Sequence, residues 1–213
     1  GEQIQNLAKS AQPRCVAIRA EDDSWASGVI LSSKGTILTA AHAIPPNRKS
    51  IDVYFHDGTR TAGIVTQIDR DLDVAVLRFA AKAGSVAKWD PIPTADLPHD
   101  AESMRLLALG HAYGFDQERG APVRFGFGYQ NGARERIISN CRLSAGDSGG
   151  PLFALTGELV GINLSVDAKG KHLAVHLPVE VVFQKWPWLR EEVQQGWKPA
   201  NLKTDSVRPK ALA

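Results

Sequence analysis

The strongest constraint on the fold is a run of short apolar segments, each strand-sized, separated by Gly and Asp turns. From Pro13 to about residue 80 they read CVAIRA, WASGVILSS, GTILTAAH, SIDVYFHDGTRTAGIVTQI and DVAVLRF. Such β-branched and aromatic runs, too short for helices, predict an all-β sheet closing on itself. In HDGT, His56 to Thr59, the Asp-Gly pair predicts a hairpin turn that uses positive φ angles. Residues 81–103 contain three prolines and few consecutive apolar residues, which reads as a connector. Strand-like segments then resume: MRLLALGHAYGF, PVRFGFGYQ, ARERIIS, PLFAL, GELVGINLSV and KHLAVHL. The chain therefore divides into a first β unit at 13–80, a linker at 81–103 and a second β unit at 104–178.

Helical spacing is confined to the ends. Ile4, Leu7, Ala8 and Ala11 predict a leading helix within 1–12, stopped by Pro13. VEVVFQKWPWLREEVQQ predicts a C-terminal helix over 179–195, interrupted at Pro187, and 196–213 reads as a polar, basic tail or linker. A net charge of +2 without a basic stripe argues against a nucleic-acid partner, and no apolar run approaches the roughly 18 residues of a membrane span. The N-terminus lacks a signal-peptide layout, but the chain starts with Gly, so export stays open. Cys15 and Cys141 form no metal-binding pattern; free thiols are expected rather than a disulfide, and no cofactor is implied.

The chemistry concentrates in SAGDSGGPLF, Ser144 to Phe153. It is either a tight surface turn or a nucleophile in a strained loop. A serine hydroxyl needs an imidazole to take its proton and an acid to fix that imidazole's tautomer. Of six histidines, His42 in TAAHAI follows an apolar strand and has small neighbours that leave room for a ring reaching across a cleft. Asp73 opens the apolar strand DVAVLRF, where an acid is costly to bury without a partner; Asp71, further into the turn, ranks second.

TAAH around His42, DLDVAVL around Asp73 and GDSGGP around Ser148, in that order, resemble the chymotrypsin-fold serine peptidases. SGVILSSKGTILTAAHAI and GDSGGPLFALTGELVGIN are closer to the bacterial trypsin-like and HtrA-type members, and the likeness spans about residues 4–185. The resemblance implies two six-stranded antiparallel β-barrels with the active site between them. It implies His42 as general base and then acid, Asp73 as its orienting carboxylate and Ser148 as nucleophile. The N–H groups of Gly146 and Ser148 would form the oxyanion hole, with Gly149 and Gly150 allowing close packing. It also implies polypeptide substrates and an extracytoplasmic location. The disulfides that trypsins place beside the His and the Ser are missing, and nothing here resembles the PDZ domain common in HtrA-type proteins. The oligomeric state stays open.

Two departures bear on mechanism. HtrA-type sequences have Asn before the nucleophile, whereas Asp147 stands here, as in trypsins, where a new N-terminal amine pairs with it. Because the chain opens with a helical pattern, a self-activated enzyme with another donor on Asp147 is expected. The specificity pocket would be walled by Cys141, Arg142 and Leu143 and by Leu164, Ser165 and Val166. Arg142 either enters it, favouring an acidic residue with His176 nearby, or faces solvent and leaves an aliphatic pocket built on Leu143. Glutamyl peptidases carry His at the position of Asn163, so the aliphatic alternative leads. Strand 164–166 would pair with an extended substrate. The competing functions are a non-catalytic scaffold on the same barrels, and an esterase, whose G-x-S-x-G pattern GDSGG matches but whose strand-to-helix context is lacking.

Overall fold

Apolar runs without polar alternation require strands covered on both faces. The computed structural model, which describes residues 2–20, 24–79, 92–95, 103–130, 135–166 and 173–194, shows how that is done. After helix α1 (Glu2–Ala11) come β1 (Cys15–Arg19), β2 (Trp25–Ile30), β3 (Thr36–Thr39), β4 (Ser50–Tyr54), β5 (Arg60–Asp69) and β6 (Val74–Arg78). They close into an antiparallel barrel in the order β1-β2-β3-β6-β5-β4. A second barrel, β10-β11-β12-β9-β8-β7, is built from β7 (Met104–Leu109), β8 (Val123–Gln130), β9 (Ile137–Ser139), β10 (Pro151–Ala154), β11 (Leu159–Val166) and β12 (Ala174–Pro178). This is the double-barrel, chymotrypsin-like architecture that the resemblance implies.

Strand periodicity sorts the core. Ile30, Ile37, Ala75 and Leu77 fill the first barrel, while their alternating neighbours Val29, Leu38, Val74 and Val76 join Leu107, Leu109, Ile162 and Leu177 in a core shared between the barrels. Each inward step serves one core and each outward step the other, so β2, β3 and β6 are buried almost throughout. The seam between barrels is therefore a packed apolar interface, and the loops at its end are held in fixed relation.

The C-terminal helix is interrupted at Pro187 as expected, giving α2 (Val179–Lys185) and α3 (Pro187–Gln194), because Pro187 has no N–H to continue α2 and suits the first turn of a new helix. One detail differs from the sequence-based expectation. In the Asp57-Gly58 hairpin only Gly58 takes positive φ; the Asp57 carboxylate instead accepts the Thr59 N–H. Glu192 of α3 accepts from Ser32 Oγ and Arg78, tying the C-terminal helices to the first barrel. Of the connector, residues 92–95 cross the seam: Ile92 N–H donates to Leu31 O, and Leu159 N–H to Pro93 O. The rest of 81–102 and the tail lie outside the described residues. Both cysteines are free and buried, and burial pushes each thiol's pKa up.

Candidate active site

The loop after β3 runs into a single 3₁₀ turn, Ala41–Ala43, that carries His42. The residue preceding β6 is Asp73, whose backbone sits at φ 63°, in the left-handed region that a side chain adopts only at a cost. In return Asp73 meets the His42 turn three times. Its carbonyl accepts the Ala41 N–H (3.2 Å), Oδ1 accepts the His42 N–H (2.9 Å) and Oδ2 pairs with His42 Nδ1 (2.8 Å). The Asp73 hydrogen bond, opposed by burial, holds the imidazole above its ordinary pKa. It also places the proton on Nδ1 and leaves Nε2 as acceptor. Asp71 is exposed, and its N–H donates to Asp69 Oδ1.

Ser148 follows Gly146, at φ 97°, and Asp147, which is fully buried. A side chain at 146 would strike His111 O at 2.5 Å, so glycine is required. Among the described residues the N–H groups of Gly146 and Ser148 have no acceptor. The loop is pinned to the first barrel by Ser27: its N–H donates to Ser148 O and its hydroxyl to Gly146 O, while it accepts the His111 N–H. Gly149 then packs against Thr39 and Ala40, three and two residues before His42; a Cβ there would lie 2.2 Å from Ser27 O. The serine loop of one barrel thus abuts the histidine turn of the other. Ser148 Oγ donates to Leu164 O at 3.0 Å and is not bonded to His42.

Asp147 has a partner that sequence reasoning missed. Arg124, on β8 and largely buried, reaches its Oδ2 at 2.9 Å, and the Ser144 N–H donates to the same oxygen at 2.7 Å. Burial raises the Asp147 pKa against the pull of Ser144 and Arg124. Nothing in PVRFGF marks Arg124 as anything but an alternating strand residue; only the barrel's closure turns it inward.

The candidate pocket residues separate. Cys141 is buried, Leu143 packs partly against the second-barrel core, and Arg142 is exposed. Leu164 sends its side chain into the shared core, whereas Ser165 and Val166 are exposed. Here β11 is paired with β12, but its pairing with β10 ends at Ile162, so residues 164–166 present an edge. His176 is fully buried: Nδ1–H donates to Asn163 Oδ1 (3.0 Å) and Nε2 accepts from Ser139 Oγ (2.7 Å). Burial drives its pKa down to about 3, so it is neutral. Asn163 in turn donates to Leu109 O and Asp147 O.

Two closed six-stranded barrels, a His–Asp pair on one and a glycine-flanked serine on the other, define the chymotrypsin-like class. Residues 26–162 match the trypsin-like peptidase domain, and the chain belongs to that family. It is 28% identical over 75% of its length to the putative protease Do-like 14 of Arabidopsis thaliana, covering 39% of that protein. It is 29% identical over 83% of its length to a probable periplasmic serine endoprotease DegP-like of Pseudomonas putida (strain W619), covering 37%. The chain thus spans less than two fifths of these relatives. The crystal structure of the serine endoprotease from Yersinia pestis superposes with a TM-score of 0.73 at 26% identity, over 89% of this chain and 67% of that one.

Proposed function

We propose that this chain is a serine endopeptidase domain acting through an acyl-enzyme, with His42, Asp73 and Ser148 as its triad. The observation that carries the reading is the His42–Asp73 pair, held by three contacts, beside a serine loop whose two free amides point to an unfilled acceptor need. In the reacting enzyme Ser148 Oγ leaves the Leu164 carbonyl for His42 Nε2, a contact that often forms only with substrate bound. Ser148 Oγ attacks the scissile carbonyl carbon as His42 takes its proton, and the carbonyl electrons move onto oxygen. The Gly146 and Ser148 N–H groups receive that charge. Collapse breaks the C–N bond, with His42 returning the proton to the departing amine; water then repeats the sequence on the ester.

The Arg124–Asp147 pair supports activity without a new N-terminal amine, since Asp147 already has a cation. Substrates are unfolded or exposed polypeptide segments that add as a strand to 164–166. Exposed Arg142 and neutral His176 support an aliphatic residue before the cut over an acidic one. The relatives named periplasmic support an extracytoplasmic setting. Labelling with a fluorophosphonate, together with casein cleavage, tests the reading. Wild type is expected to react at Ser148 and cleave, and Ser148→Ala to do neither; a wild type that takes no label would leave a binding scaffold as the function.

A further inference from the structure

The strand end that delivers Asp73 does more than supply the acid. Arg70, three residues earlier, sends Nη1 to Ala41 O and Nη2 to Ile44 O, both at 3.0 Å. These carbonyls bracket His42, one residue before it and two after. The guanidinium is planar and its donors sit at fixed separation, so gripping both carbonyls fixes the length and orientation of the turn between them. Asp73 holds the same turn through the Ala41 and His42 amides. Residues 70–73 therefore grasp the His42 turn by its N–H groups and by its carbonyls at once.

This grip is itself anchored. Asp69 Oδ1 accepts the N–H groups of Asp71 (3.0 Å) and Leu72 (2.8 Å), shaping the turn that forces Asp73 to positive φ. Its other oxygen pairs with Lys185, the last residue of α2, at 2.6 Å. From these contacts we propose that Arg70 is a positioning residue for the general base, setting His42 against Asp73 from a turn that Asp69 fastens to the C-terminal helix. Arg70 acts through the backbone of residues 41–44 and touches neither substrate nor reacting atoms. The inference rests on the catalytic reading of His42.

The test compares wild type with Arg70→Met, which keeps the stem and removes the fork, and with Asp69→Ala, which removes the turn's acceptor. Two readouts are taken: the fluorophosphonate labelling rate of Ser148 against pH, and the NMR titration of the His42 ring. A general base displaced by about 1 Å costs on the order of 100-fold, so both variants are expected to label roughly 10- to 100-fold more slowly, with peptide KM unchanged. Because the Asp73 hydrogen bond is what raises the His42 pKa, its titration midpoint should fall toward the ordinary imidazole value in both variants. A folded Arg70→Met with wild-type labelling rate and an unmoved His42 midpoint would overturn the proposal. If Arg70→Met does not fold, Asp69→Ala and Arg70→Lys, which keeps charge without the fork, decide it by the same two readouts. Should wild type itself take no label, the peptidase reading fails, while the His42 titration still decides whether Arg70 positions that ring.

Discussion

Replacing Arg124 by Met keeps most of the apolar stem but strips the cation from Asp147, which is only 1% exposed. Among the described residues Oδ1 of Asp147 has no hydrogen-bond partner, so the variant leaves the carboxylate with the Ser144 N–H and the more distant charge of Arg119. Removing one member of a buried ion pair costs about 3–5 kcal/mol. The loss has a ceiling, since the carboxylate escapes by taking a proton. From an ordinary pKa of about 3.9 that step costs about 1.36 kcal/mol per pH unit, which is about 4 kcal/mol at pH 7 and about 1.5 kcal/mol at pH 5. In the variant the folded Asp147 pKa stands well above the unfolded one. The native state then holds a proton that the unfolded chain lacks, and stability falls as pH rises between those two values. The expected loss is therefore about 3–4 kcal/mol at pH 7 and at most about 1.5 kcal/mol at pH 5. For a chain of this size that is roughly 6–16 °C in Tm at pH 7 and roughly 3–6 °C at pH 5, read by thermal melts at both pH values. Loosening the Ser144–Ser148 loop should also displace the Gly146 amide, lowering kcat about 10²- to 10³-fold. A Tm loss equal at both pH values, or below about 3 °C at pH 7, would refute the reasoning, because a buried unpaired carboxylate must respond to protons.

Removing the proposed nucleophile with Ser148→Ala should lower kcat on the order of 10⁶-fold while leaving the thermal melt unchanged. Activity should fall as pH drops through the His42 pKa, because only the neutral ring accepts the serine proton. That acidic limb should lie above the ordinary imidazole value of 6.5, and Asp73→Asn should cut kcat about 10⁴-fold and move the limb down. Ser27→Ala leaves Gly146 O and the His111 N–H without their buried partner and should cost about 1–3 kcal/mol in denaturant unfolding, with slower labelling of Ser148. In a peptide library varied before the cut, wild type and Arg142→Ala should share one aliphatic preference, since Arg142 faces solvent; a lost acidic preference in the variant would put that side chain in the pocket.

Local sequence carried the fold class because each strand announces itself within five to ten residues. The apolar runs ILTA and DVAVL demand strands covered on both faces, and the double barrel supplies one core for each face. His42, Asp73 and the GDSGG loop were legible as a candidate set because TAAH, DLDVAVL and GDSGGP, in that order, resemble the chymotrypsin-fold serine peptidases; small neighbours, an acid at a strand mouth and clustered glycines are local marks that fit that resemblance. Sequence could not say which way an alternating strand residue points once a barrel closes. Arg124 and Arg142 are both arginines near apolar residues, yet one is turned inward onto Asp147 and the other outward to water. Ser27 and Arg70 carry no local mark either, since their partners lie in loops brought near by packing. Leu164, expected on the pocket wall, went to the shared core, where burying an apolar side chain outweighs lining a solvated cleft. The residue types of the site and the strands that hold them were thus decided along the chain. Which cation balances Asp147, which hydroxyl joins the barrels and which way Ser148 turns were decided across it, because each depends on desolvation and on partners many residues away.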